Sequence, residues 1–162
     1  MNTIINIGIV GYGNLGKGVE QAVLNNPDIN LKAIFTRRDI NSLGTNSPIA
    51  HFSDLEKFKD KIDVMILCGG SATDLDIQGP QVAANFNTVD SFDTHNRIPE
   101  YFAKMNKVAQ KAGTCSLISI GWDPGLFSLH RLLGMSILPN GNEYTFWGRG
   151  VSQGHSDAIR QI

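Results

Sequence analysis

The stretch Ile4-Ile5-Asn6-Ile7-Gly8-Ile9-Val10-Gly11-Tyr12-Gly13-Asn14-Leu15-Gly16 decides the fold. Its first part is a short apolar, β-branched run, which predicts a buried strand over 4–10. Leu15, Val19, Ala22 and Val23 follow at helical spacing, which predicts a helix over 14–24. Between them lies GxGxxG, a pattern that is weak alone but specific when it joins a strand to a helix. Gly11 permits the tight turn, Gly13 lets backbone approach a pyrophosphate, and Gly16 lets the helix pack on the strand. The helix start adds free N–H groups and a partial positive charge that suit phosphate.

The pattern continues outward. Strands are predicted over 31–36, 62–68, 88–91 and 115–120. Helices are predicted over 75–86, 98–112 and 126–137, and Pro99 and Gly113 bracket the second of these as helix ends require. Ser53-Asp54-Leu55-Glu56 matches a capping box and predicts a short polar helix, and 41–47 reads as a loop. A last strand is predicted over 143–147. Alternating strands and helices specify an α/β fold, a Rossmann-type doubly wound parallel sheet. Such sheets bind ligands at the carboxyl ends of their strands.

An acidic residue usually ends the second strand, about 20 residues after the glycines, where it holds a ribose 2′-hydroxyl. Here that place reads Phe35-Thr36-Arg37-Arg38. Two guanidiniums and a hydroxyl suit a 2′-phosphate and a carboxylate would repel one, so the expected cofactor is NADP. Gly69-Gly70-Ser71-Ala72-Thr73-Asp74, after the third predicted strand, is expected to face the same cofactor with small residues and hydroxyls, or else to be a plain turn.

Two further segments follow strands. Asp90-Ser91-Phe92-Asp93-Thr94-His95 and Gly121-Trp122-Asp123-Pro124-Gly125 are expected to open onto one cleft. Converging acids there suit a cationic substrate group or a general base. Each Asp has a second reading as a helix cap or turn residue. His95 reads as structural, and Trp122, set among glycines, as a pocket residue rather than core. Phe146-Trp147-Gly148-Arg149-Gly150 and Ser152-Gln153-Gly154-His155-Ser156-Asp157 read either as pocket or as loop.

Composition narrows the class. The 162 residues are 41% hydrophobic and 18% charged with a net charge of −1, as in ordinary globular chains. No nucleic-acid or membrane-surface partner is expected from that balance. Cys68 and Cys115 match no metal-ligand spacing, so no metal is expected, and both are expected to be buried, reduced thiols. No apolar run approaches the ~18 residues of a membrane span, and the first residues lack a signal peptide's basic region. The expected location is cytoplasmic.

Together, Gly-Tyr-Gly-Asn-Leu-Gly at 11–16, Arg37-Arg38, Gly-Ser-Ala-Thr-Asp at 70–74, Thr-Val-Asp-Ser-Phe-Asp at 88–93, Gly-Trp-Asp-Pro-Gly at 121–125, Phe146-Trp147-Gly148 and Ser-Gln-Gly-His-Ser-Asp at 152–157 resemble the meso-diaminopimelate D-dehydrogenase family. The resemblance implies NADP-dependent oxidative deamination at the D-centre of meso-2,6-diaminopimelate, reversibly, giving ammonia and L-2-amino-6-oxopimelate, which cyclises to tetrahydrodipicolinate, a lysine precursor. It implies Gly11 to Gly16, Thr36 to Arg38 and Cys68 to Thr73 as cofactor-binding. It implies Asp93 and Asp123 at the reacting end of the substrate, with Trp122, Phe146, Trp147, Gln153 and Gly154 lining the pocket. It also implies a homodimer. Family members are longer, so the chain reads as a truncated one, an NADP-binding domain over 1–121 and the start of a substrate and dimerisation domain over 122–162. The alternatives are a cofactor-binding module without activity, or a Rossmann reductase of the homoserine dehydrogenase type.

Overall fold

A computed structural model describes residues 4–141. Its six strands are β1 (Ile5–Val10), β2 (Ile29–Thr36), β3 (Ile49–His51), β4 (Val64–Leu67), β5 (Asn87–Asp90) and β6 (Ser116–Leu117). They form one parallel sheet in the order β3-β2-β1-β4-β5-β6. This is the Rossmann order, and the chain reverses direction across the sheet beside β1. The helices are α1 (Asn14–Leu24), α2 (Asp76–Ala83), α3 (Ile98–Ala112) and α4 (Leu126–Ile137).

Both faces of the sheet are covered. Ile9, Ile34 and Val23 lie in the core on the α1 side, and Val10, Phe35, Met65, Tyr101 and Met105 in the core on the other. Strand alternation accounts for most of this division. Leu31 and Ile34 are three residues apart yet share a face, because the β1–β2 register shifts between Ile7 and Gly8. In the centre of the sheet Gly8 leaves room for Met65, whose sulfur a Cβ at position 8 would overlap.

The helices dock as their patterns require. α1 buries Gly16, Glu20 and Val23, and α3 buries Tyr101, Met105 and Ala109. Gly113 ends α3 in the left-handed region, at φ 70°. Pro80 sits inside α2 and withdraws the N–H that the Asp76 carbonyl would accept. Lys104 Nζ supplies the missing donor from α3 at 2.6 Å. Arg97 and Lys104 both pair with the Asp76 carboxylate at 3.0 Å, so charge as well as packing ties α2 to α3.

Several expectations need correction. Strand β3 follows the 41–47 loop, in a stretch for which the sequence predicts no element. It forms because β2 offers a free edge, with Ile34 pairing to Ile49 and its amide donating to the Pro48 carbonyl at 2.8 Å. The short polar helix is present as a 3₁₀ helix over Phe52–Phe58, but it is capped otherwise than expected. Its cap is His51, whose ring accepts from the Ser53 amide, not the Ser53–Glu56 box. β6 stops at Leu117 rather than at 120, and Ser119 turns the chain at φ 59°. Cys68 is buried as expected, but Cys115 is exposed. The predicted strand over 143–147 lies outside the described residues.

Region 119–141 differs from the rest. α4 buries none of its residues, and Trp122, Leu129, Leu132, Met135 and Ile137 are all more than half exposed. Among the described residues, no helix is long and apolar enough to cross a membrane.

Candidate functional site

The carboxyl ends of β1, β2 and β4 converge on a pocket of about 300 Å³. β1 contributes the glycine-rich turn. Gly11 adopts φ 90°, a conformation that costs little only without a Cβ. A Cβ at Gly16 would run into the Gly11 carbonyl, so α1 starts close against the turn only because that position is bare. A Cβ at Gly13 would meet nothing within 4 Å. The turn therefore leaves open backbone at the first amides of α1, the arrangement that admits an anion.

Tyr12 lines the same pocket, but its side chain serves the fold. Its hydroxyl donates to Glu20 at 2.5 Å, and the Thr45 hydroxyl donates to the other oxygen of that carboxylate. Burial pushes the Glu20 carboxyl up, but hydrogen bonds from Ser47, Thr45 and Tyr12 outweigh it and hold the group below its usual range. The Tyr12 hydroxyl is raised, first by its bond to Glu20, and remains a donor. This cluster pins the loop after β2 to α1.

β2 delivers the basic residues. Thr36 is buried and its Oγ1 accepts from the Arg38 amide at 3.0 Å. Arg38 reaches back and donates to the Tyr12 carbonyl, across the mouth of the glycine turn. Arg37 pairs with Asp74, which comes from the turn after β4. Both arginines line the pocket.

β4 ends in Cys68-Gly69-Gly70. Burial pushes the Cys68 thiol up to about 12, which makes it an inert wall rather than a nucleophile. Ser71–Leu75 then form a wide turn in which the Gly70 carbonyl accepts from Thr73, Asp74 and Leu75 amides. Asp74 reaches back to the Gly70 amide at 3.2 Å and to Thr73 Oγ1 at 3.1 Å. Burial raises its pKa, but Arg37 and then these donors lower it further, so the carboxylate is stabilised as an anion.

Of the residues singled out for cofactor binding, Gly11, Tyr12, Gly13, Thr36, Arg37, Arg38, Cys68, Gly69 and Gly70 line this pocket. Asn14 and Leu15 are exposed at the start of α1, Gly16 is buried under it, and Ala72 and Thr73 are exposed on the wide turn. Ser71 is buried and faces elsewhere, accepting from the Asp93 amide at 2.9 Å. Asp74, the last residue of the loop expected to face the cofactor but not among its expected binding residues, also lines the pocket. Its pairing with Arg37 has no local signal, since only the topology brings the end of β4 near that of β2.

The two acids meet different partners. Asp93 is half-buried after β5, fixed through its amide by Ser71. Asp123 accepts from Arg131 Nη2 of α4 at 2.8 Å. It is not the cap of α4: that position falls to Gly125, with no side-chain hydrogen bond. Trp122 is 67% exposed and rests on Phe127, ring centroids 5.3 Å apart. Phe146, Trp147, Gln153 and Gly154 lie outside the described residues.

Behind both loops stands the buried Asp90. Its Oδ1 accepts from the Phe92 and Ser119 amides at 3.0 and 3.1 Å, and its Oδ2 from the Tyr101 hydroxyl at 2.8 Å. Burial raises the pKa of Asp90, and burial together with Asp90 raises that of Tyr101. One carboxylate thus holds the exits of β5 and β6 against α3.

Known proteins with the same pattern are specific in kind. The family model described as "Diaminopimelic acid dehydrogenase C-terminal domain" matches residues 121–162. A meso-diaminopimelate D-dehydrogenase of Ureibacillus thermosphaericus is 63% identical over 160 residues, 98% of this chain and 49% of that protein. A crystal structure of a substituted meso-diaminopimelate dehydrogenase of Clostridium tetani with DAP is 66% identical, with a TM-score of 0.85, covering 98% of this chain and 49% of its own. An engineered D-amino acid dehydrogenase bound to NADP+ is 45% identical, with a TM-score of 0.86 over 99% of this chain and 50% of its own. The chain spans about half the length of the curated relatives it matches.

Proposed function

We propose, from the premise that this chain is similar over nearly its whole length to about half of a meso-diaminopimelate D-dehydrogenase, that it carries the NADP site of such an enzyme. The reaction is NADP-dependent oxidative deamination at the D-carbon of meso-2,6-diaminopimelate. Its products are L-2-amino-6-oxopimelate and ammonia, and in reverse it makes a lysine precursor.

The observation that carries this reading is the pocket with Arg37 and Arg38 at the end of β2 and the open glycine turn at β1. The residues fit the group: bare backbone at Gly13 for a pyrophosphate, two guanidiniums and the Thr36 region for a 2′-phosphate, small residues after β4 for close approach. When bound, NADP+ accepts the hydride. Gly11, Tyr12, Gly13, Asn14, Leu15 and Gly16 offer backbone to its phosphates. Thr36, Arg37 and Arg38 hold the adenosine end, and Cys68 to Thr73 border the other.

Asp93 and Asp123 hold the ammonium of the D-centre, and either serves as base in proton removal. Trp122, Phe146, Trp147, Gln153 and Gly154 line the substrate pocket. Residues 1–121 form the NADP-binding domain, and 122–162 begin a substrate and dimerisation domain of a cytoplasmic homodimer. The exposed α4 and the family match starting at 121 support that division.

The test is NADP reduction with meso-diaminopimelate beside the L,L and D,D isomers, paired with thermal melting in NADPH. NADPH formed with the meso isomer alone is the expected result. A melting gain with NADPH but no turnover supports the second reading, a binding module that lacks activity by itself. The exposure of α4 favours keeping that reading. Arg37→Ala with Arg38→Ala should weaken NADPH far more than NADH, and equal losses overturn the cofactor reading.

A further inference from the structure

The two arginines of the pocket are held in unlike ways. Arg38 rests on a neutral acceptor, the Tyr12 carbonyl. Arg37 rests on a full negative charge, the Asp74 carboxylate, which comes from the opposite wall. The partners differ in freedom as well. The Arg37 side chain is 63% exposed and that of Asp74 only 20%. Asp74 is further fixed by the Gly70 amide and the Thr73 hydroxyl. The anion is therefore anchored and the cation is the member that can move.

We propose that Asp74 is a specificity-determining residue of the cofactor site, an internal counter-ion that competes with a 2′-phosphate for Arg37 and so limits the preference for NADP over NAD. The proposal rests on the reading of this pocket as an NADP site and adds a residue to it. A guanidinium binds carboxylate and phosphate by the same forked, charge-assisted bonds, so the two anions are alternatives for one group. A 2′-phosphate arriving at Arg37 must draw it from Asp74 or share it beside a second negative charge. An NAD ribose brings only hydroxyls and leaves the pair intact. Asp74 thus opposes one cofactor and is indifferent to the other. In this role it is a positioning residue, acting through Arg37.

The test measures dissociation constants of NADPH and NADH for the wild-type chain, Asp74→Asn, Arg37→Ala and the double variant, at fixed pH and salt. Asn keeps an oxygen for the Gly70 amide and removes the charge. Asp74→Asn is expected to bind NADPH about two- to fivefold more tightly, the range for release of an exposed ion pair. NADH should be unchanged, and the gain should vanish on the Arg37→Ala background. NADPH binding that stays the same or weakens overturns the proposal, as does a gain shared by NADH or one that survives without Arg37. Should Asp74→Asn melt early without ligand, Asp74→Ser provides the second neutral side chain and is read by the same criteria. A wild-type chain that binds NADPH no more tightly than NADH overturns the NADP reading beneath the proposal. A wild-type preference for NADPH beside an inert Asp74→Asn overturns the proposal alone.

Discussion

The sheet with α1 to α3 and the segment with α4 are both rich in apolar residues, yet one buries them and the other does not. Ile9, Ile34, Phe35, Met65 and Leu75 are fully enclosed, whereas Leu132, Leu133 and Met135 of α4 stand in solvent. α4 sets Leu129, Leu132, Leu133 and Met135 beside Ser128, His130 and Arg131, and buries none of them. α4 is held by local contacts, the Arg131–Asp123 pair and the Trp122–Phe127 rings among them, while tertiary contact forms the rest. The stability of the described chain should reside almost wholly in the first region.

That contrast can be broken by substitution. Phe35→Ala removes a side chain of zero exposure and should cost about 3–5 kcal/mol, read by denaturant unfolding. Gly16→Ala places a methyl against the Gly11 carbonyl and should cost about 1–3 kcal/mol. It should also reduce NADPH binding, because α1 must lift from the turn; calorimetric titration checks this. Tyr101→Phe leaves Asp90 short of a donor and should cost about 1–3 kcal/mol.

Smaller effects sharpen the comparison. The Asp76 carboxyl is held below its usual range by Arg97 and then Lys104. Its pairing stabilises the fold above the pKa of an unfolded aspartate and is lost as pH falls through the lowered folded value. Asp76→Asn should change neutral stability by no more than about 1 kcal/mol, since the group is partly exposed. It should also make the acid unfolding curve less steep over that window. Last, Leu132→Gln keeps helix propensity and should stay within about 0.5 kcal/mol. A cost like that of Phe35→Ala would mean that α4 is packed in solution, and the contrast between the regions would fail.

The sequence was most legible where local signals suffice. The glycine turn with α1, the Pro-to-Gly frame of α3 and the bounds of α4 all depend on neighbours within a few residues. β3 was hidden because only Ile49 and Ala50 mark it, and its cause is the edge of β2, not its own pattern. The capping box failed because the His51 ring reached the Ser53 amide first. The end of β6 turns on Ser119 at positive φ, which nothing in a serine announces. In the site, the arginines were legible by their distance from the glycines. The pairing of Asp74 with Arg37 and the role of Glu20 were not, since a carboxylate's partner across a fold leaves no local spacing to read.

Asp90 carries a consequence for how this fold can vary. The segment bearing Asp93 and the segment leading to Asp123 are fastened to the same oxygen atom, Oδ1 of Asp90, through the Phe92 and Ser119 amides. They are separate in sequence but share one hinge pin. A change that shifts one should drag the other, so their spacing is set by a single side chain rather than by two independent loops.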